Sequence, residues 1–196
     1  MTDSLNNVTL HGFTNKLVYK EFMASLNPPK VVMESGKEYG QVWRRLQSGV
    51  VDEKARDILF LLLHNKLPVP ERLFRIKLLR DPYCQKCTGA LISDLEHLFC
   101  CCSKTEHLWL WLTSKLSTFD VKLSRVSNWD LINLFYCRTP YDEEVTWLIA
   151  NYVHFVWERT FVQEVSVNLN AFFGFLTFKY RENLNSMRLR KLDEFK

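Results

Sequence analysis

A chain of 196 residues suits one compact domain of ordinary size, or one domain carrying a substantial appendage. Its 47% hydrophobic and 14% aromatic content argues against wholesale disorder, and six glycines and six prolines are too few for a turn-rich all-β chain. A net charge of +4, from 26 Lys and Arg against 22 Asp and Glu, permits nucleic-acid binding without demanding it.

The N-terminus, MTDSLNNVTLHGF, lacks the basic start and apolar run of a signal peptide. No uninterrupted apolar stretch reaches the length of about 18 residues that a membrane span needs. The expected location is therefore the nucleus or cytoplasm, not a secreted or membrane setting. In that reducing environment clustered cysteines point to metal rather than to disulfides.

Residues 1–39 read as a loosely structured leader, broken by Asn27-Pro28-Pro29-Lys30 and again at Glu34-Ser35-Gly36. A short helix is expected from Glu38 to Leu46, with Tyr39, Val42, Trp43 and Leu46 on one face. Asp52 and Glu53 open the next helix, where negative charge suits the positive end of the helix dipole. That helix runs through Ile58, Leu59, Leu62 and Leu63 to the break His64-Asn65-Lys66-Leu67-Pro68. Pro70 precedes another helix, PERLFRIKLL, expected to end near Asp81-Pro82. After the cysteine region a helix is expected from Lys104 to Leu116, followed by a polar break from Ser117 to Ser127. Thr139-Pro140 offers an N-cap and a first-turn proline for a helix striped with Val145, Leu148, Ile149, Tyr152, Val153 and Val156. A last helix carries Leu169, Phe172, Phe173, Leu176, Tyr180, Leu184 and Met187 on one side. The expected fold is all-α, an irregular helical bundle with a small zinc-knuckle insert.

The chemistry concentrates in that insert. Cys84-Gln85-Lys86-Cys87 is a CxxC whose spacing lets two thiolates reach one tetrahedral ion at about 2.3 Å. His97, Cys100, Cys101, Cys102 and His107 follow. His97 with Cys101, His97 with Cys102, and Cys102 with His107 all have usable spacing for a second ligand pair. Simple helix geometry favours Cys101, because residues four apart share a face. The deaminase pattern, which needs His-x-Glu upstream of the cysteines, fails because Asn65 and Lys66 follow His64. Four protein ligands would leave zinc no open position, so a structural zinc is expected.

The runs VWRRLQSGVVDEKARDILFLLLHNKLPVPERLFRIKLLRDPYCQKC and DLEHLFCCCSKTEHLW together resemble the zinc-binding domain of non-LTR retrotransposon reverse transcriptases. Trp43 stands in the first helix, His64-Asn65-Lys66-Leu67-Pro68 matches the break, and Glu96 precedes His97-Leu98-Phe99. Cys102 lies five residues after His97, and Trp109 seven after Cys102. The resemblance implies a CCHC site of Cys84, Cys87, His97 and Cys102, in a zinc-binding domain over residues 40–116 with a C-terminal helical segment at 117–196. It further implies a role in holding template RNA or target DNA, and a possible association with a reverse transcriptase.

The chain contains no Tyr-x-Asp-Asp polymerase motif, and no paired catalytic carboxylates, Ser-His-Asp arrangement or phosphate-cradling glycine loop stands out. It is read as a non-enzyme without a small-molecule substrate, a detached C-terminal portion of such an element or a module retained by a host. Arg72, Arg75, Lys77, Arg80 and Lys86 are the candidate phosphate contacts beside the knuckle, against the plainer reading of a solvated helix face. Arg188, Arg190, Lys191 and Lys196 form a second basic group at the tail. The alternatives are a zinc-stabilised helical protein-interaction module and a non-functional remnant of the element.

Overall fold

The computed structural model describes residues 39–87, 91–162 and 167–183. The leader, the basic tail and positions 184 and 187 of the last apolar stripe lie outside the described residues. Among the described residues the architecture is all-α. Seven α-helices run α1 (Tyr39–Leu46), α2 (Glu53–Leu63), α3 (Pro70–Arg75), α4 (Glu106–Ser117), α5 (Asn128–Ile132), α6 (Asp142–Trp157) and α7 (Leu169–Asn183). Wider π-helical turns at His97–Cys101 and Glu158–Val162, and a 3₁₀ turn at Leu123–Arg125, link them.

The architecture is organised around α6. Every residue from Glu144 to Val156 is buried, so the stripe expected on one face is instead a helix enclosed on all sides. The reason is its neighbours: α2, α4 and α7 pack against it, as do α1 and α5. Two of its buried polar side chains find partners close by: Thr146 meets the Tyr136 hydroxyl at 2.7 Å and the Asn151 amide donates to the Trp147 carbonyl at 2.9 Å. The helix also starts later than Thr139-Pro140. The Thr139 hydroxyl accepts from the Tyr141 N–H at 3.1 Å, capping a turn, and Asp142, Glu143 and Glu144 fill the first helical turn.

Two long-range polar joints fasten other elements to this helix. The buried Arg45 of α1 forms a two-pronged pair with Asp142 at 2.7 and 3.1 Å. It also donates to the carbonyls of Leu134 and Tyr136 and stacks 3.6 Å over the Tyr136 ring. At the other end of α6, Asp52 caps α2 by accepting from the Ala55 N–H and receives Lys179 of α7 at 3.0 Å. The His154 ring of α6 lies between Asp52, 3.7 Å away, and Glu158, 3.1 Å away.

The helix over PERLFRIKLL is shorter than expected, ending at Arg75. Lys77 turns to a positive φ of 63°, the Leu78 N–H bonds to the Leu73 carbonyl, and the Lys77 N–H bonds to that of Phe74. This is a Schellman termination built without glycine. Asn65 ends α2 in the same way, with Lys66 bonding back to Leu61, and Leu134 ends α5, with Phe135 bonding back to Asp130. The short α5 follows directly on the polar break, where the sequence reading has no helix; the Ser127 hydroxyl caps it by accepting from the Asp130 N–H. No helix of the described residues is long and apolar enough to cross a membrane.

Candidate metal centre

Cys84 and Cys87 stand on a tight turn at the base of two short antiparallel arms. Tyr83 pairs with Ile92, the Cys84 N–H donates to the Leu91 carbonyl at 2.8 Å, and the Ser93 N–H donates to that of Pro82 at 2.8 Å. Within the turn the Lys86 N–H points at Cys84 Sγ, 3.4 Å away. A CxxC turn of this kind aims backbone donors at sulfur, which favours the thiolate form that binds metal.

The second pair comes from the π-helical turn. Asp94 opens it by accepting from the His97 N–H at 2.7 Å. The turn then closes with the Cys102 N–H on the His97 carbonyl at 2.6 Å, a bond spanning five residues instead of four. That widening brings Cys102, not Cys101, alongside His97. Cys87 Sγ lies 3.6 Å from Cys102 Sγ and 3.5 Å from His97 Nε2. The donor atoms of Cys84, Cys87, His97 and Cys102 all lie within 4.8 Å of one another. Cys100 points into the core and Cys101 is exposed, as is His107 on α4.

Three sulfurs and one imidazole nitrogen are a donor set suited to zinc, and the spacing fits it. A tetrahedral ion with Zn–S bonds of about 2.3 Å separates its sulfurs by roughly 3.8 Å, close to what Cys87 and Cys102 show. The local electrostatics agree. Burial works against the Cys87 thiolate, but donation from the Ser103 hydroxyl and N–H outweighs it, and the thiol lies below its ordinary value. Burial, with the other sulfurs nearby, pushes the Cys102 thiol up to about 12, so this crowded group resists a second negative charge unless a cation joins it. Burial also lowers His97, against the pull of Asp94, which keeps the ring in the neutral form a metal requires.

The centre is anchored to the bundle from several directions. The buried Tyr152 hydroxyl of α6 donates to the Phe99 carbonyl within the π turn. Thr105 donates to the Leu98 carbonyl at 2.7 Å, and Trp109 packs on Tyr152 at 5.7 Å between ring centres. Lys86 reaches from the knuckle to the Thr160 carbonyl at 3.0 Å. The sequence reading passes over Asp94, although a capping residue three positions before His97 is a local signal. Tyr152 carries no such signal, because its partner lies 53 residues away and nothing local marks the pairing.

The five basic candidates do not form one uniform face. The Arg72 guanidinium donates to the Asn65 carbonyl at 2.8 Å, holding the break between α2 and α3. Lys86 is tied to Thr160, and Arg75 forms an exposed pair with Glu71 at 2.6 Å. Lys77 and Arg80 are exposed on the segment leading into the knuckle. Of the tryptophans, Trp109 and Trp147 are buried in the core and Trp111 packs edge-on against Phe172 and Phe173.

Residues 13–109 match the family described as zinc-binding in reverse transcriptase. The match begins upstream of residue 40, takes in the whole Cys/His group and ends at Trp109. It is to a zinc-binding domain and not to a catalytic one. No curated protein and no solved structure matches the chain. Residues 13–109 of this chain are thus a segment of the kind described as zinc-binding in reverse transcriptase.

Proposed function

We propose that the chain is a non-catalytic nucleic-acid-binding module, derived from a non-LTR retrotransposon reverse transcriptase and held together by one structural zinc ion. The observation that carries this reading is the Cys3His group, its donor atoms within 4.8 Å of one another, inside the segment that matches the family. Cys84, Cys87, His97 and Cys102 would hold the ion. Bound there, zinc supplies a four-way cross-link between the CxxC turn and the π turn, with no open position for substrate. The protein's own part is to present thiolates through backbone donors and to keep His97 neutral and fixed by Asp94.

Lys77 and Arg80, with Arg75 in exchange with Glu71, are the knuckle residues available to phosphate. Arg72 and Lys86 act through the fold, by holding the segment in place. Fluorescence anisotropy with labelled RNA and DNA across a salt series tests the reading. Affinity is expected to fall steeply with salt, since each phosphate contact releases counterions. Absence of binding to either nucleic acid at low salt would refute it.

One observation favours the second reading, a protein-interaction module. Phe74, Ile76, Leu78, Leu79, Leu91 and Ile92 all expose apolar surface around the knuckle. Exposed apolar clusters of this kind mark contact surfaces. Co-purification with a reverse transcriptase that persists in high salt, without nucleic-acid binding, would select that reading.

A further inference from the structure

Two neighbouring cavities, of about 240 and 430 Å³, share Gln41, Arg45 and Arg138 in their walls. Arg44 lines the first and Arg125 the second, so Arg44, Arg125 and Arg138 converge on one cleft. All three are exposed. They come from the last turn of α1, the 3₁₀ turn and the loop after α5, positions too far apart in sequence to register as a basic run.

The charge balance of the cleft decides what it can hold. Arg45 is engaged by Asp142 through both prongs, so that pair neutralises itself. Glu143 is the remaining carboxylate on the wall, against three exposed guanidinium groups. Arg44 commits Nε to the Gly40 carbonyl at 3.1 Å, a bond that holds the side chain along the helix end. Guanidinium forks match phosphate oxygens two at a time, which a lysine cluster would not do.

Shape narrows the ligand further. The second cavity adds an apolar wall of Val42, Val126 and Phe135 beside the arginines. A concave notch with basic and apolar walls suits a flexible strand, whose phosphates and bases can turn separately into it. A rigid duplex carries its phosphates on a convex surface and would bridge the notch.

We propose that Arg44, Arg125 and Arg138 form a phosphate-binding cleft for single-stranded nucleic acid. The inference rests on the nucleic-acid reading above and locates a binding surface for it outside the knuckle. The test uses the full chain, zinc-loaded, with a fluorescein-labelled oligouridine of about 20 nucleotides, long enough to cover several phosphate contacts. Arg44→Gln, Arg125→Gln and Arg138→Gln are combined, with zinc content and melting temperature checked against wild type.

The salt dependence of log K is expected to lose about 2 units of slope, at about 0.7 for each of the three phosphate contacts. Affinity at low salt is expected to drop about tenfold or more, since contacts of this kind dominate non-specific binding. Replacing the same three residues with lysine should keep most of the slope, and Glu143→Gln should tighten binding. A triple glutamine variant that binds oligouridine with wild-type affinity and slope overturns the cleft while leaving the nucleic-acid reading standing. Loss of duplex binding with single-strand binding intact overturns the single-strand assignment. Wild-type protein that binds neither overturns the nucleic-acid reading and the cleft with it.

Discussion

At position 102 the sulfur lies 3.6 Å from that of Cys87, while Cys101 faces solvent and Cys100 faces the core. Three adjacent cysteines therefore have three different environments. Cys102→Ser is expected to lose stoichiometric zinc and much of the helical circular dichroism, because metal binding and folding are linked in such a segment. Cys101→Ser should keep both. Cys100→Ser should keep zinc but cost about 1–2 kcal/mol, since a hydroxyl replaces a thiol in an apolar pocket. Metal analysis and urea titration of the three variants check this; zinc loss in Cys101→Ser alone would move the ligand register by one residue. The CxxC, the histidine and the candidate cysteines were legible from spacing. Spacing did not choose among the cysteines, because an ordinary α-helical repeat favours residue 101; the family resemblance implied 102, and it is the wider π turn that brings 102 alongside His97.

Helix ends make the second scale visible. This chain has six glycines, yet Asn65, Lys77 and Leu134 each close a helix in the left-handed conformation. Asn tolerates that region, but Lys and Leu are strained there. Lys77→Gly should relieve the strain, offset in part by the greater unfolded-state freedom of glycine, for a net gain of about 0.5–1 kcal/mol. Urea unfolding measures it, and a loss of stability would mean that α3 does not terminate at this residue. Apolar periodicity placed α1, α2, α4, α6 and α7 to within a few residues. It overran α3 because Leu78 and Leu79 continue a helical pattern that the backbone has already abandoned; Leu78 is 70% exposed. It passed over α5, a helix of five residues too short to show a period.

For the whole molecule, the polar joints onto α6 carry the largest expected effects. Arg45→Met removes a buried cation and leaves Asp142 and two carbonyls without their donor, at a cost of about 3 kcal/mol. Asp142→Asn should cost less, because that side chain is partly exposed. Urea midpoints of the two variants give the order, and equal losses would show that the carbonyl contacts add nothing. Asp52 gives a pH signature. Burial opposes its ionisation, but the nearby His154 ring, the hydrogen bond from the Ala55 N–H and the Lys179 ammonium outweigh it and hold the carboxyl well below its ordinary value of 3.8. A carboxyl depressed on folding contributes stability above its unfolded value, and that contribution disappears as pH falls towards the folded value. The stability difference between wild type and Asp52→Asn should thus be constant near neutrality and shrink below about pH 4. A difference that grows in acid would mean that Asp52 is not ionised in the folded bundle.

Sequence alone determined the all-α class, the position of the cysteine insert and the family resemblance, because helical periods, CxxC spacing and the Glu-His-Leu-Phe run are local patterns. Tertiary structure decided which basic residues are exposed and which hold the fold. Arg72 and Lys86 find backbone carbonyls 7 and 74 residues away, whereas Arg44, Arg125 and Arg138 meet only because the helices around α6 bring them together. The physical reason is range. A spacing rule sees neighbours within a turn or two, while charge and burial depend on every element that packs within a few ångströms.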